Sequence, residues 1–281
     1  AFFSKLEEIA RFAHVDIHAL TTGYTQGANL GSTFMLPLKT PSIALIVDGG
    51  VDSGEAGEIW HLLDQRMQMP VTLLPIGSVS SSNLDRYSVI LMADGSYGQL
   101  GQSGAAALKT WVSKGNTLVA KGGALRWLAQ NEIGNFTFRK VDNAEKGLQK
   151  NYADFENATG AKQTFGAIFK STLDTSHPIG YGYVSKDLFT FRNDNFFLEP
   201  STNPYANPLV YTKDPLASGY LHPSNLPGVQ ESAVIRVAGQ GRGRIVGFAD
   251  NPNFRAFWFG TNKLFMNSIF FGQVIDGGTA R

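Results

Sequence analysis

The chain has 281 residues, 43% of them hydrophobic, enough for one large domain or a domain with a smaller lobe. Its 24 basic and 23 acidic residues leave a formal charge of +1, with none of the basic clustering of a nucleic-acid binder, and no apolar run reaches the roughly 18 residues of a membrane span. There is no cysteine, which excludes disulfides, Cys-ligated zinc and a thiol nucleophile while leaving the compartment open.

The chain opens on Ala1, which reads as a processed form or an excised piece, and its first residues are too charged for a signal peptide. Phe3, Leu6, Ile9, Ala10, Ala13 and Ile17 recur at helical spacing and predict a helix over 3–20. His14 and His18 stand four apart on it, a spacing that can serve a metal. No HExxH motif and no third ligand accompany them, so no metal site is assigned. Thr21–Pro41 is rich in Gly and Thr and reads as a connector, which divides the chain into 1–39 and 40–281.

From Ser42 the pattern alternates. Strands are predicted at 42–48, 71–75, 88–93 and 117–120, with helices near 55–67, 104–114 and 124–131. Such alternation means βαβ units and a mainly parallel sheet. Glu55 and Glu58 fall in the first turn of the first of these helices, where the helix dipole favours carboxylates. After Gly134 come short β-rich pieces (FTFRK, GAIFKSTL, LFTFR, NPLVYT) that read as an inserted or appended antiparallel section, 135–232. The run 234–249 reads as a hairpin turning at Gly239–Arg244, and a last helix is predicted over 261–273. The glycines of that turn do not form a dinucleotide fingerprint, because strands lie on both sides.

Several strands end on glycine and a polar residue, as strands do when they leave the carboxyl edge of a doubly wound sheet, where ligands bind. Asp48, Asp94 and Asp250 fall at such ends, with Lys121 and Arg255 at the same edge. They could converge on a small polar ligand or a hard cation, or be turn-forming aspartates with satisfied backbone bonds. Ser96 follows Asp94-Gly95, so the G-x-S-x-G elbow fails at its first glycine, although His177 and His222 are available as bases.

Residues 41–129 resemble the class I glutamine amidotransferase-like fold. The stretches 57–67, 71–75, 84–98, 174–183 and 243–272 are more specifically similar to the amidotransferase-like domain at the C-terminus of bacterial zinc carboxypeptidases of the carboxypeptidase A type. The resemblance spans roughly residues 15–275, with 21–38 similar to the connector after the peptidase domain. It implies a flavodoxin-like three-layer α/β sandwich. It also implies that Gly122 lies at or next to the family's cysteine and that Asn251-Pro252-Asn253 replaces its His-Pro-Glu run. Glutaminase chemistry needs a thiolate and a base. The expectation is therefore a catalytically inactive accessory domain of a secreted zinc carboxypeptidase, periplasmic or extracellular. Its partner would be its own N-terminal peptidase domain, and it would hold no cofactor, since the zinc belongs to that peptidase domain. The candidate ligand-binding residues are Asp48, Asp94, Ser96, Lys121, Asp250 and Arg255. The alternative is a hydrolase working at the sheet's carboxyl edge through Ser96, Asp94 and Lys121.

Overall fold

A computed structural model describes residues 2–24, 26, 29–33, 35–141, 151–164 and 166–280, so part of the β-rich section, 142–150, lies outside the described residues. The chain divides into two units, Ala1–Pro37 and Leu38–Arg281. In the first, α1 spans Phe2–Ala13 and leaves Phe2, Phe3, Ile9 and Phe12 exposed. This corrects the helix expected over 3–20. His14 turns to φ 53°. The Val15 N–H then reaches back to the Ala10 carbonyl at 3.0 Å and the His14 N–H to Arg11 at 3.4 Å. That pair of bonds is a Schellman stop. His14 and His18 therefore do not share a helix face.

The second unit is built on one nine-stranded sheet. In chain order its elements are β1 (Ile43–Val47), α2 (Ser53–Trp60, prolonged by a π turn His61–Arg66), β2 (Val71–Pro75), β3 (Val89–Met92), α3 (Gly101–Ser113), β4 (Thr117–Lys121) and α4 (Gly123–Gln130). There follow α5 (Phe155–Ala161), β5 (Ala167–Leu173), β6 (Asp187–Arg192), β7 (Leu209–Ser218), α6 (Leu226–Val229), β8 (Ala233–Gln240), β9 (Gly243–Phe248) and α7 (Asn262–Phe271). Strand order is β2-β1-β3-β4-β9-β8-β7-β5-β6.

Strands β2, β1, β3, β4 and β9 pair in parallel, with Ile43 opposite Val89 and Thr117 opposite Arg244. The pairings from β9 through β8, β7 and β5 to β6 are all antiparallel, so the sheet as a whole is mixed. Composition explains the division. IALIV and VILM are apolar throughout, TLVAK is apolar between Thr117 and Lys121, and all three are buried on both faces, as the middle layer of three must be. In β5 every second side chain is buried, the signature of a strand covered mainly on one face.

The expected β-rich pieces become β5, β6 and β7 of this same sheet, except FTFRK. There only Phe138 bridges, to Leu198, which in turn bridges Ala233. The hairpin turn is tighter than Gly239–Arg244: Gln240 pairs with Gly243, leaving Gly241-Arg242 as the two-residue loop. Gly241 takes φ 58° at the first of these positions, as a type II′ turn requires.

Candidate functional site

The order β1-β3-β4-β9 brings the loops after these strands side by side at the carboxyl edge. The sheet's switch point lies between β1 and β3, where such folds open a crevice. Here the two loops are stitched together. Val51 bridges Gly95, the Asp52 N–H donates to the Asp94 carbonyl at 2.8 Å, and the Ser96 N–H donates to the Gly50 carbonyl at 2.8 Å. Backbone amides that could have met a ligand are spent on each other.

Beside them β4 turns sharply into α4 at Gly122, with φ 55° and ψ −124°. A strained strand-to-helix turn of this kind is the shape of a nucleophile elbow, in which the amide after the elbow residue and one from a neighbouring loop form an anion hole. Both donors are present, and both are occupied from within. The Gly123 N–H lies 2.6 Å and the Gly95 N–H 2.8 Å from Asp94 Oδ1. A Cβ added at Gly122 would lie 2.3 Å from the same oxygen. The Asp94 carboxylate stands where a side chain from the elbow would have to pass.

The Asp94 N–H donates to Glu55 Oε2 at 3.1 Å, and the other Glu55 oxygen pairs with the Lys121 ammonium. Burial pushes the Glu55 carboxyl above its ordinary pKa, and Lys121 opposes the shift without cancelling it. The Asn251 side-chain amide bonds Glu55 at 3.3 Å and Glu58 at 2.6 Å, and the Arg255 backbone N–H reaches Glu58 at 2.5 Å. A cavity of about 10 Å³ remains among Glu55, Lys121, Asn251 and Asn253, close to the smallest space that holds one water. Tyr97 and Trp127, both buried, pack 6.2 Å apart near the same edge.

Of the predicted residues, Asp94 and Lys121 therefore come together through Glu55. Asp250 is drawn elsewhere. Its carboxylate takes the Arg192 guanidinium at 2.8 Å and the Tyr211 hydroxyl at 2.5 Å, all three buried. Burial works against the charge on Arg192, but Tyr211 and Asp250 outweigh it and hold its pKa above the usual range. Asp250 thus forms no pair with Arg255, whose exposed guanidinium lies over the Phe254 ring at 5.1 Å. Asp48 is exposed, in a left-handed turn at φ 71°, on the rim of a hollow of about 290 Å³ shared with Trp60 and Leu73. Ser96 is exposed. The Nδ1 atoms of His177 and His222 cap their own turns at Ile179 and Ser224, and neither imidazole bonds Ser96 among the described residues.

Glu55 and Glu58 are central to the edge and were legible only as acids suited to a helix start. Their signal was position: three apart on the helix that leaves β1, they reach over the strand ends.

No protein-family profile matches the chain, and no curated protein sequence matches it. Solved structures do. A ThuA-like protein from Parabacteroides merdae superposes with a TM-score of 0.57 at 13% identity, over 84% of this chain and 90% of that one. A chain of PurLQS from Thermotoga maritima superposes with a TM-score of 0.54 at 12% identity, over 82% of this chain and 98% of that one. The fold is that of the glutamine amidotransferase-like, flavodoxin-like α/β proteins. Likeness at this level of identity speaks for the fold alone.

Proposed function

We propose that this chain is a catalytically inactive glutamine amidotransferase-like accessory domain, a part of a secreted zinc carboxypeptidase, periplasmic or extracellular, that packs on the peptidase domain. The zinc would reside in that domain, and this chain would need no cofactor of its own. The observation that carries the inactive reading is Asp94. Its carboxylate accepts both amides of the anion hole over a glycine elbow, so neither a nucleophile nor an oxyanion has a place there. Glutaminase chemistry asks for a thiolate with a base beside it. At this edge the elbow residue is Gly122, and Asn251 is an amide held by Glu55 and Glu58. The nearly filled crevice and the Tyr97–Trp127 contact support a structural role over turnover. The hydrolase alternative gains no support, since Lys121 is paired to Glu55 and Asp94 is bound by backbone.

Ammonia release from glutamine by the purified chain tests the reading. The expected rate equals that of a heat-inactivated control. Release above the control that disappears in an Asp94→Ala variant would overturn it. The parent assignment is tested by the reading frame upstream of residue 1, which should encode a domain with a His-x-x-Glu zinc pair and a later His.

A further inference from the structure

The loop after β9 carries two consecutive left-handed residues that are not glycine, Arg255 at φ 48° and Ala256 at φ 55°. Backbone of this kind is costly and persists where surrounding structure enforces it, and here it fixes what the loop presents. It presents aromatic rings. Phe254 stacks on Phe191 of β6 at 3.8 Å, and Phe257 meets Phe254 edge-on at 5.8 Å. Phe257 and Phe259 are nonetheless 55% and 60% exposed.

Cations lie against these rings. The Arg255 guanidinium covers Phe254 at 5.1 Å, and Arg66 covers Phe259 at 4.4 Å. Lys263, on the first turn of α7, lies 5.4 Å from the Tyr183 ring, whose hydroxyl donates to the Gly260 carbonyl. Arg66 also donates to the Asn262 amide oxygen and Lys263 to the Gly182 carbonyl, both neutral acceptors. Among the described residues none of the three side chains meets a carboxylate, although all are exposed. Glu58, which reaches this loop, already accepts from Asn251 and the Arg255 backbone.

We propose that this surface docks an acidic polypeptide segment, whose carboxylates pair with Arg66, Arg255 and Lys263 while its apolar side chains cover Phe257 and Phe259. The charges complement an anionic partner, and the rings supply the desolvated centre that such a contact needs. A nucleic acid would satisfy the same cations. It is disfavoured by a chain charge of only +1, with no basic stripe to follow a phosphate backbone. The proposal does not depend on the inactivity of the elbow, and binding reads it independently of ammonia release.

The experiment is selection of twelve-residue peptides from a random display library on the intact immobilised chain, followed by affinities of synthetic copies in solution. The expected winners carry net negative charge with aromatic or aliphatic residues. They should lose about tenfold or more in affinity for the R66E/R255E/K263E variant and for F257S/F259S. A matched far-UV and thermal profile for each variant guards against misfolding. The proposal is overturned if no peptide is enriched, if the winners are neutral or basic, if the folded charge-reversal variant binds them equally, or if a twelve-nucleotide oligo(dT) binds more tightly than they do.

Discussion

Gly122 is the residue at which one added carbon should do most damage. Its φ of 55° is a conformation that L side chains rarely adopt, and a Cβ there meets Asp94 at 2.3 Å. Gly122→Ala is expected to cost about 3 kcal/mol, strain and clash together. Urea denaturation measures it. Asp94→Gly alone should also destabilise, because the two amides lose their acceptor. In the double variant the two costs should sum to less than their separate values, since removing the carboxylate relieves the clash. Strict additivity would show that the carboxylate is not what excludes a side chain. His177 supports a second expectation. It is buried, its Nδ1 accepts the Ile179 N–H at 3.1 Å, and its Nε2 finds no partner, so the neutral form is the one the fold accommodates. Burial lowers its pKa to about 4 from an ordinary 6.5, against the opposing pull of Asp174. The unfolded chain therefore binds the proton more readily between those values. Stability from this site is present above about pH 6.5 and is lost as pH falls toward 4, by up to about 3 kcal/mol. His177→Asn keeps an acceptor for the turn and does not titrate. Its unfolding free energy should fall less steeply across that window than the parent's, and identical slopes would refute the assignment.

At the scale of elements, the parallel and antiparallel halves of the sheet are tied by a buried cluster. Arg192 ends β6, Tyr211 lies in β7 and Asp250 follows β9, so one carboxylate collects side chains from strands far apart in the order. Arg192 also donates to the Phe196 carbonyl. Arg192→Met should cost about 3–5 kcal/mol, because Asp250 would remain buried with its cation removed. The combined R192M/D250L/Y211F variant should recover much of that loss, since an apolar replacement leaves no orphaned charge. Chemical denaturation of the set decides it; a triple variant as unstable as the single would mean that shape, not charge, holds the halves together. None of this cluster could be read beforehand, because it depends on pairing between segments 58 residues apart. Strand identity was readable for a local reason: runs such as IALIV and VILM are buried on both faces and show it in every residue. The end of α1 was not. His14 stops it through a left-handed turn that histidine adopts only occasionally, and apolar spacing continues past it to Ile17.

The molecule as a whole shows which parts of the site the chain order could and could not convey. Asp94 and Lys121 were legible as neighbours because β3 and β4 are adjacent parallel strands and both residues sit at their ends. Asp250 was read to the same edge because it follows β9, but an arginine from β6 claims its carboxylate. The section 135–232 was legible as antiparallel, and its relation to the rest can be tested directly. Strand β8 has β9 on one side and β7 on the other, and Ala233–Ala238 are buried along its length. Joining Gly134 to Ala233 through a short Gly-Ser linker would strip the β7 side of β8 and leave Ile235, next to Leu209 in the ladder, without its neighbour. An open edge on so apolar a strand invites association with another chain. The same deletion removes Arg192 and Tyr211 and leaves the Asp250 carboxylate without its partners. We therefore expect the deleted protein to be insoluble or to lack a cooperative thermal transition, because the section is structurally part of the sheet. A soluble, monomeric deletion product that melts cooperatively within about 5 °C of the parent would instead mark 135–232 as a separable insertion.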